Sequence, residues 1–144
     1  MEDKYNLKRF IEAQELDYEI ALLEIKNGRK RSHWMWYIFP QLADLGYSST
    51  AKYYGISNLE EARAYIENSI LKSHLIEISE ELYKLNDNIS NILGYPDDLK
   101  LNSSMTLFKK ANPEIKIFGD VIEKFYNGKE DQATIDLLKK ERGE

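Results

Sequence analysis

The longest hydrophobic pattern runs from Leu7 to Ile25. Leu7, Phe10, Ile11, Gln14, Tyr18, Ala21, Leu22 and Ile25 recur at three- and four-residue steps, which sets them on one face of a helix. Asn27-Gly28 then supplies a left-handed stop. Leu16, Ile20 and Leu23 fall on the opposite face. Either the second half of this helix is buried on two sides or the helix breaks near Glu15 to Asp17, and the break is the preferred reading. A second stripe, Leu71, Leu75, Ile78, Leu82 and Leu85, is the cleanest in the chain and ends in an Asn86-Asp87-Asn88 turn. Between the two, Ser32 is placed to cap a short helix through His33 to Tyr37. Phe39-Pro40 would end it, because proline drives the preceding residue out of the helical region. A strand is the alternative for that aromatic run, but no partner strand is visible.

Shorter elements fill the rest. Asp44 to Ser49 reads as a loop around Gly46, and Thr50 to Tyr54 as a helical turn ending at Gly55. Ser57-Asn58-Leu59-Glu60 fits a capping box whose helix runs to about Glu67. Ile89 to Leu93 is a brief helix stopped by Gly94, and Tyr95-Pro96-Asp97-Asp98 a turn. Leu99 to Leu101 reads as extended and Met105 to Lys110 as helical, with the helix start near Ser103 or Ser104. Asn112 caps a helix carrying Pro113 in its first turn and Phe118, Val121, Ile122 and Phe125 on its core face, and Asn127-Gly128 stops it. Asp131 caps a last helix. The fold expected is all-α, a compact helical bundle with short loops, and residues 1–144 form a single domain.

Composition narrows the function. Hydrophobic residues at 42% and charged residues at 31% fit a globular chain. A net charge of −5 argues against a general nucleic-acid binder, so an anion site must be a local basic patch. Cysteine is absent, and two histidines are too few for a multi-histidine metal site, so no metal site is assigned. The amino-terminal residues lack a signal-peptide pattern and no apolar run reaches membrane-spanning length, which gives a cytoplasmic expectation with no membrane partner.

Candidate chemistry gathers in two segments. Arg29, Lys30 and Arg31 run through Ser32 and His33 into Trp34 and Trp36, followed by Gln41. An indole stacks on a planar ligand while neighbouring cations hold its acidic group. Two positions apart on a helix, Trp34 and Trp36 cannot share a face, so one can belong to the core while the other lines a cleft. The plain alternative is that both fill the core, and core packing is the preferred reading for either one alone. His33 is the one good acid–base candidate, though no carboxylate partner stands beside it in sequence. His74, midway along an amphipathic helix, reads as a surface residue. In the second segment Lys100, Ser103, Ser104 and Thr106 lie where free helix N–H groups would cradle a phosphate or carboxylate, with helix capping as the plain alternative.

These segments also carry a resemblance. Gly28 to Trp36 continued by Phe39-Pro40-Gln41-Leu42, together with Arg9-Phe10, Ala13-Gln14, Tyr54-Gly55-Ile56, Glu61 to Tyr65, Pro96 to Leu101 and Ser103 to Phe108, resembles the signature of DUF1810, a bacterial domain-of-unknown-function family. Some members are labelled calpastatin-like, a label that does not suit an aromatic-rich globular chain, because calpastatins are disordered repeats. The resemblance implies a compact helical fold and no agreed activity or cofactor. The family often has a proline near Leu16, which this chain lacks.

The function expected is binding of, or catalysis on, a small anionic ligand, nucleotide-like or phosphorylated. Tyr54 or a tryptophan would stack on it, with Gln14 and Gln41 orienting it. The alternative is a protein-interaction module that presents the Trp- and Arg-rich stretch 29–41. The first reading requires His33 and the Lys100–Thr106 segment to converge on one pocket.

Overall fold

In the computed structural model, which describes residues 2–144, the first stripe folds as one unbroken helix, α1 (Lys8–Lys26). Its inner face buries Phe10, Gln14, Tyr18, Ala21, Leu22 and Ile25. The expected break at Glu15 to Asp17 does not occur. None of these residues lacks a backbone N–H or demands positive φ, so the helix continues whether or not its second face is covered. That face stays open: Leu16, Ile20 and Leu23 are 80%, 48% and 59% exposed. Gly28, at φ +84°, turns the chain out of α1 as expected.

The remaining elements are α2 (Met35–Ile38), a 3-10 turn (Ala43–Leu45), α3 (Ser49–Tyr53), α4 (Leu59–Glu67), α5 (Ser69–Tyr83), α6 (Ile89–Leu93), α7 (Asp97–Ala111), α8 (Lys116–Tyr126) and α9 (Gln132–Glu141). The fold is all-α, 67% helical. Among the described residues strand-like pairing is limited to a bridge between Leu42 and Ile56. α7 is central and packs against α4, α6, α8 and α9, while α5 lies between α1 and α8. The α5 stripe buries Leu71, Leu75, Ile78 and Leu82, and α7 contributes Leu101, Met105, Leu107 and Phe108, all fully buried. Phe108 joins the two halves of the core, its ring 5.0 Å from that of Tyr65 and 6.1 Å from that of Phe118.

Several helix starts differ from the sequence reading. α2 begins at Met35 rather than His33, and Ser32 does not cap it, because its hydroxyl donates to Glu24. α4 is capped one residue later than expected: the Asn58 side chain accepts from Glu61 N at 2.9 Å, while the Ser57 hydroxyl donates to Glu61 Oε1 at 2.8 Å. Glu60 therefore does not reach back, because Glu61 takes that place. α7 begins at Asp97, not near Ser103, and Asp97 and Asp98 in its first turn complement the positive end of the helix dipole. Asn112 accepts from Glu114 N at 3.1 Å in a turn, and α8 starts only at Lys116. Asp131 does cap α9, accepting from Thr134 N at 3.1 Å. Asn58→Ala should cost about 0.5–2 kcal/mol in urea unfolding. Ser57→Ala should cost less, and the reverse order would refute this assignment of the cap.

Candidate functional site

Glu24 of α1 organises the basic run. Its Oε1 accepts from Arg31 N (2.7 Å), Ser32 N (2.9 Å) and Trp34 Nε1 (2.8 Å), and its Oε2 accepts from the Ser32 hydroxyl (2.5 Å). Burial would raise this carboxyl's pKa, but the four hydrogen bonds outweigh it and hold the group at about 2. One carboxylate thus folds the loop after α1 and seats Trp34, only 1% exposed, in the core. Lys30 turns inward as well. Its Nζ lies 2.9 Å from Asp97 Oδ2 and 5.2 Å from the Trp34 ring centroid. Arg29, Arg31 and His33 remain exposed.

Asp97 reaches the second segment too, with its Oδ1 3.5 Å from Lys100 Nζ. That ammonium stands 5.9 Å from the ring centroid of Trp36, which is half-buried. Lys100 and Trp36 form one side of a narrow cleft whose other walls are Met35, Phe39, Gln41, Ala51, Tyr54 and Gly55. The Leu42–Ile56 bridge builds the far wall: Ile56 N donates to Gln41 O and Ala43 N to Ile56 O, each at 2.9 Å. Gly55 permits this approach, since a Cβ there would lie 2.4 Å from the Ala43 Cα. The cleft has room for about one water molecule at most. Tyr54 packs edge-on to Tyr53 with centroids 4.8 Å apart, and burial raises its phenol pKa above the ordinary 10.0, so it stays protonated at neutral pH.

Four of the sequence-derived candidates, Trp36, Gln41, Tyr54 and Lys100, therefore line one cleft. The others lie elsewhere. Trp34 is core, and Lys30 is paired with Asp97. Because α7 starts at Asp97, Ser103, Ser104 and Thr106 sit mid-helix and their N–H groups are not free. Ser103 Oγ donates to Asp131 Oδ2 at 3.1 Å, and Thr106 Oγ1 accepts from Asp131 N at 2.9 Å, so both tie α7 to the start of α9. Ser104 is wholly buried on the same helical face as Lys100, and its Oγ is the buried side-chain polar atom left without a partner among the described residues. Neither His33 nor Ser103, Ser104 or Thr106 is among the residues lining the cleft, so of the Lys100–Thr106 segment expected to meet His33 only Lys100 is there, and it meets Trp36 instead. Met35, Phe39, Ala51 and Gly55, missed in sequence, line the cleft with apolar surface or backbone, and no sequence signal set them apart from core residues.

The remaining buried polar groups are engaged internally. The Arg9 guanidinium donates to the carbonyls of Tyr53 (2.8 Å), Gly55 (2.9 Å), Tyr5 (2.6 Å) and Asn6 (2.9 Å) and to Glu61 Oε2 (2.8 Å). Gln14 donates to Tyr37 O at 2.8 Å and to the Tyr65 hydroxyl at 3.0 Å, which leaves its Oε1 to accept from His74 Nδ1 at 2.8 Å. Gln14 thus has no group to orient a ligand. This arrangement assigns the Nδ1–H tautomer to His74. Far from being a surface residue, that imidazole is half-buried and stacked on Tyr18 with centroids 3.8 Å apart, and burial lowers its pKa.

A family model described as a protein of unknown function, DUF1810, matches residues 4–138. The chain belongs to this family. It is also similar to a crystal structure of the conserved hypothetical protein Rv1873 from Mycobacterium tuberculosis, at 46% identity and a TM-score of 0.93 over 94% of this chain and 98% of that one. The curated proteins give no match. In this DUF1810 chain, the segments that carried the resemblance serve two ends. Arg9, Gln14, Glu61 and Tyr65 form the internal hydrogen-bond network. Trp36, Gln41, Tyr54, Gly55 and Lys100 surround the cleft. No helix among the described residues is long and apolar enough to cross a membrane.

Proposed function

We propose that this DUF1810 protein binds a small ligand that combines a flat ring with an acidic group, in the cleft between α2, the Tyr54-Gly55 turn and α7. One observation carries the reading. Four side chains able to engage a ligand, Trp36, Gln41, Tyr54 and Lys100, converge on one cleft, in a protein whose other buried polar side chains, Ser104 apart, are taken up by internal bonds. The Lys100 ammonium and the Trp36 indole N–H are pure donors, while the protonated Tyr54 hydroxyl and the Gln41 amide can each donate as well as accept. A donor-rich cleft suits an acceptor-rich anion such as a nucleotide or aromatic carboxylate. It supplies no base for proton abstraction, and exposed His33 stands outside it. The reading is therefore binding rather than turnover.

The protein-interaction alternative has lost its anchors. Within 29–41 the large side chains of Trp34, Met35, Tyr37, Ile38 and Phe39 are buried, leaving half-buried Trp36 and the flanking Arg29 and Arg31. Hot spots need a buried aromatic or arginine anchor on the partner side, which flexible exposed arginines alone do not provide.

Because the cleft has room for about one water molecule, binding requires the Trp36 or Lys100 side chain to swing aside. Trp36 fluorescence should then respond to ligand while buried Trp34 stays silent. Titration with AMP, ribose 5-phosphate and indole-3-acetate should find at least one probe that shifts Trp36 emission and raises the melting temperature. Trp36→Ala and Lys100→Ala should each weaken that binding by about tenfold or more, as loss of a charge-assisted contact implies. Ser103→Ala, whose hydroxyl donates to Asp131 and does not line the cleft, should leave affinity unchanged. A probe that binds equally well to the Trp36 and Lys100 variants would overturn the assignment.

A further inference from the structure

The open face of α1 carries an inference independent of the cleft. Leu16, Ile20 and Leu23 project from it at 80%, 48% and 59% exposure, although they are spaced as a helix-pairing seam. Counting Ile20 as position a of a heptad places Leu16 and Leu23 at d and half-buried Ala13 at the preceding a. Glu12, Glu19 and Lys26, all exposed, then occupy the three g positions, and Asp17 and Glu24 the e positions. A seam with ordered charge flanks is more than a scatter of surface leucines.

The charges choose the partner and its direction. In a parallel pair the g residues of one helix face the e residues of the other, which would set Glu12 and Glu19 against Asp17 and Glu24. Like charges at such distances are destabilising, and Asp17 and Glu24 are already engaged by Tyr37 and by the 31–34 loop. In an antiparallel pair g faces g. Lys26 of one helix then meets Glu12 of the other, twice by symmetry, against one Glu19–Glu19 contact and, because e also faces e, one Asp17–Asp17 contact near the axis, where each Asp17 carboxylate accepts from Tyr37 of its own chain. In the same register Leu16 packs on Ile20 of the second copy, and Leu23 on its Ala13. The surface thus complements itself.

We propose that two copies of this chain associate through α1, antiparallel, about a two-fold axis midway between Leu16 and Ile20. Such isologous pairing is the commonest symmetric arrangement. The seam is short, so the total buried area falls below the roughly 1,200 Å² of standard interfaces, which gives a weak dimer with a dissociation constant of about 10–500 µM.

Sedimentation equilibrium up to about 500 µM tests this. The wild-type chain should show a concentration-dependent dimer, and Leu16→Glu with Leu23→Glu should abolish it. Both positions are exposed, so those variants should keep the wild-type circular dichroism. Glu12→Lys and Lys26→Glu should each weaken association about threefold to tenfold, because each change is felt twice. Combined in one chain, the swapped charges should restore wild-type affinity. Glu19→Gln should tighten it. A wild-type chain that stays monomeric, or a dimer indifferent to Leu16→Glu and Leu23→Glu, overturns the proposal. Failure of the charge swap to rescue overturns the antiparallel register.

Discussion

Arg9→Ala should destabilise the protein by about 3–5 kcal/mol, the range expected when one partner of a buried ion pair is removed. The Arg9 and Glu61 side chains are only 7% and 4% exposed and meet at 2.8 Å. The five bonds of the guanidinium hold four backbone carbonyls from two segments, Tyr5–Asn6 and Tyr53–Gly55. Its loss would leave Glu61 with only the Ser57 hydroxyl and N–H for its charge, and the Tyr53 and Gly55 carbonyls without donors. Arg9→Lys should not rescue, because an ammonium has three donors from one point and cannot fork to five acceptors. Urea unfolding reads the loss directly. A cost below about 1 kcal/mol for Arg9→Ala would mean that water replaces the guanidinium, and that the network is a surface feature.

The same network bears on the cleft. Arg9 clamps the carbonyls on either side of Tyr54, so the side chain nearest the proposed ligand stands on a turn held from beneath by a buried charge. The opposite wall is held by Asp97, which draws Lys30 and Lys100 together and so ties the loop after α1 to the start of α7. The supporting Arg9 guanidinium makes five short hydrogen bonds, whereas Lys100 in the cleft wall has only a 3.5 Å ion pair with Asp97. That division separates scaffold from site more sharply than residue type does.

Much of the fold was legible because burial imposes a period. The stripes of α1 and α5 and the stops at Gly28, Gly94 and Asn127-Gly128 follow from helix geometry and left-handed preference, which act locally. What failed was decided at longer range. Glu24, ten residues before Trp34, determined which indole went inward, and no spacing rule links a helix carboxylate to a loop beyond it. Asp97-Asp98 after proline reads equally as a turn or as a helix's first turn, and choosing the turn moved the expected anion cradle onto Ser103 and Ser104. Those serines instead sit mid-helix, where Ser103 meets Asp131. Trp36, Gln41, Tyr54 and Lys100 were identified by chemistry, yet their meeting depends on the Leu42–Ile56 bridge, which has no sequence signature.

Acid should weaken the fold through Glu24. Its pKa is about 2 in the folded protein against an ordinary 4.5, so the unfolded chain takes up the proton first as pH falls. The stabilisation is complete above about pH 5 and disappears as pH drops through 4.5 toward 2. The carboxylate is partly exposed, so solvent screening limits this contribution to about 1–2 kcal/mol. Glu24→Gln isolates it. The glutamine carbonyl can still accept from Arg31 N, Ser32 N and Trp34 Nε1, and its amide can donate to the Ser32 hydroxyl, so the loop survives without a titrating group. This variant should be slightly less stable than the wild type at pH 7 and equal to it near pH 2. Asp3, Glu81 and Glu130, whose pKa values are also lowered, titrate alike in both proteins and cancel. Glu24→Ala should be far worse, at about 2–4 kcal/mol, because the Trp34 indole N–H is left unpaired beside the core and two loop N–H groups lose their acceptor. Urea midpoints at pH 7, 4 and 2.5 distinguish these cases. A difference between wild type and Glu24→Gln that stays constant across that range would show that Glu24 holds the loop by shape alone and not by charge.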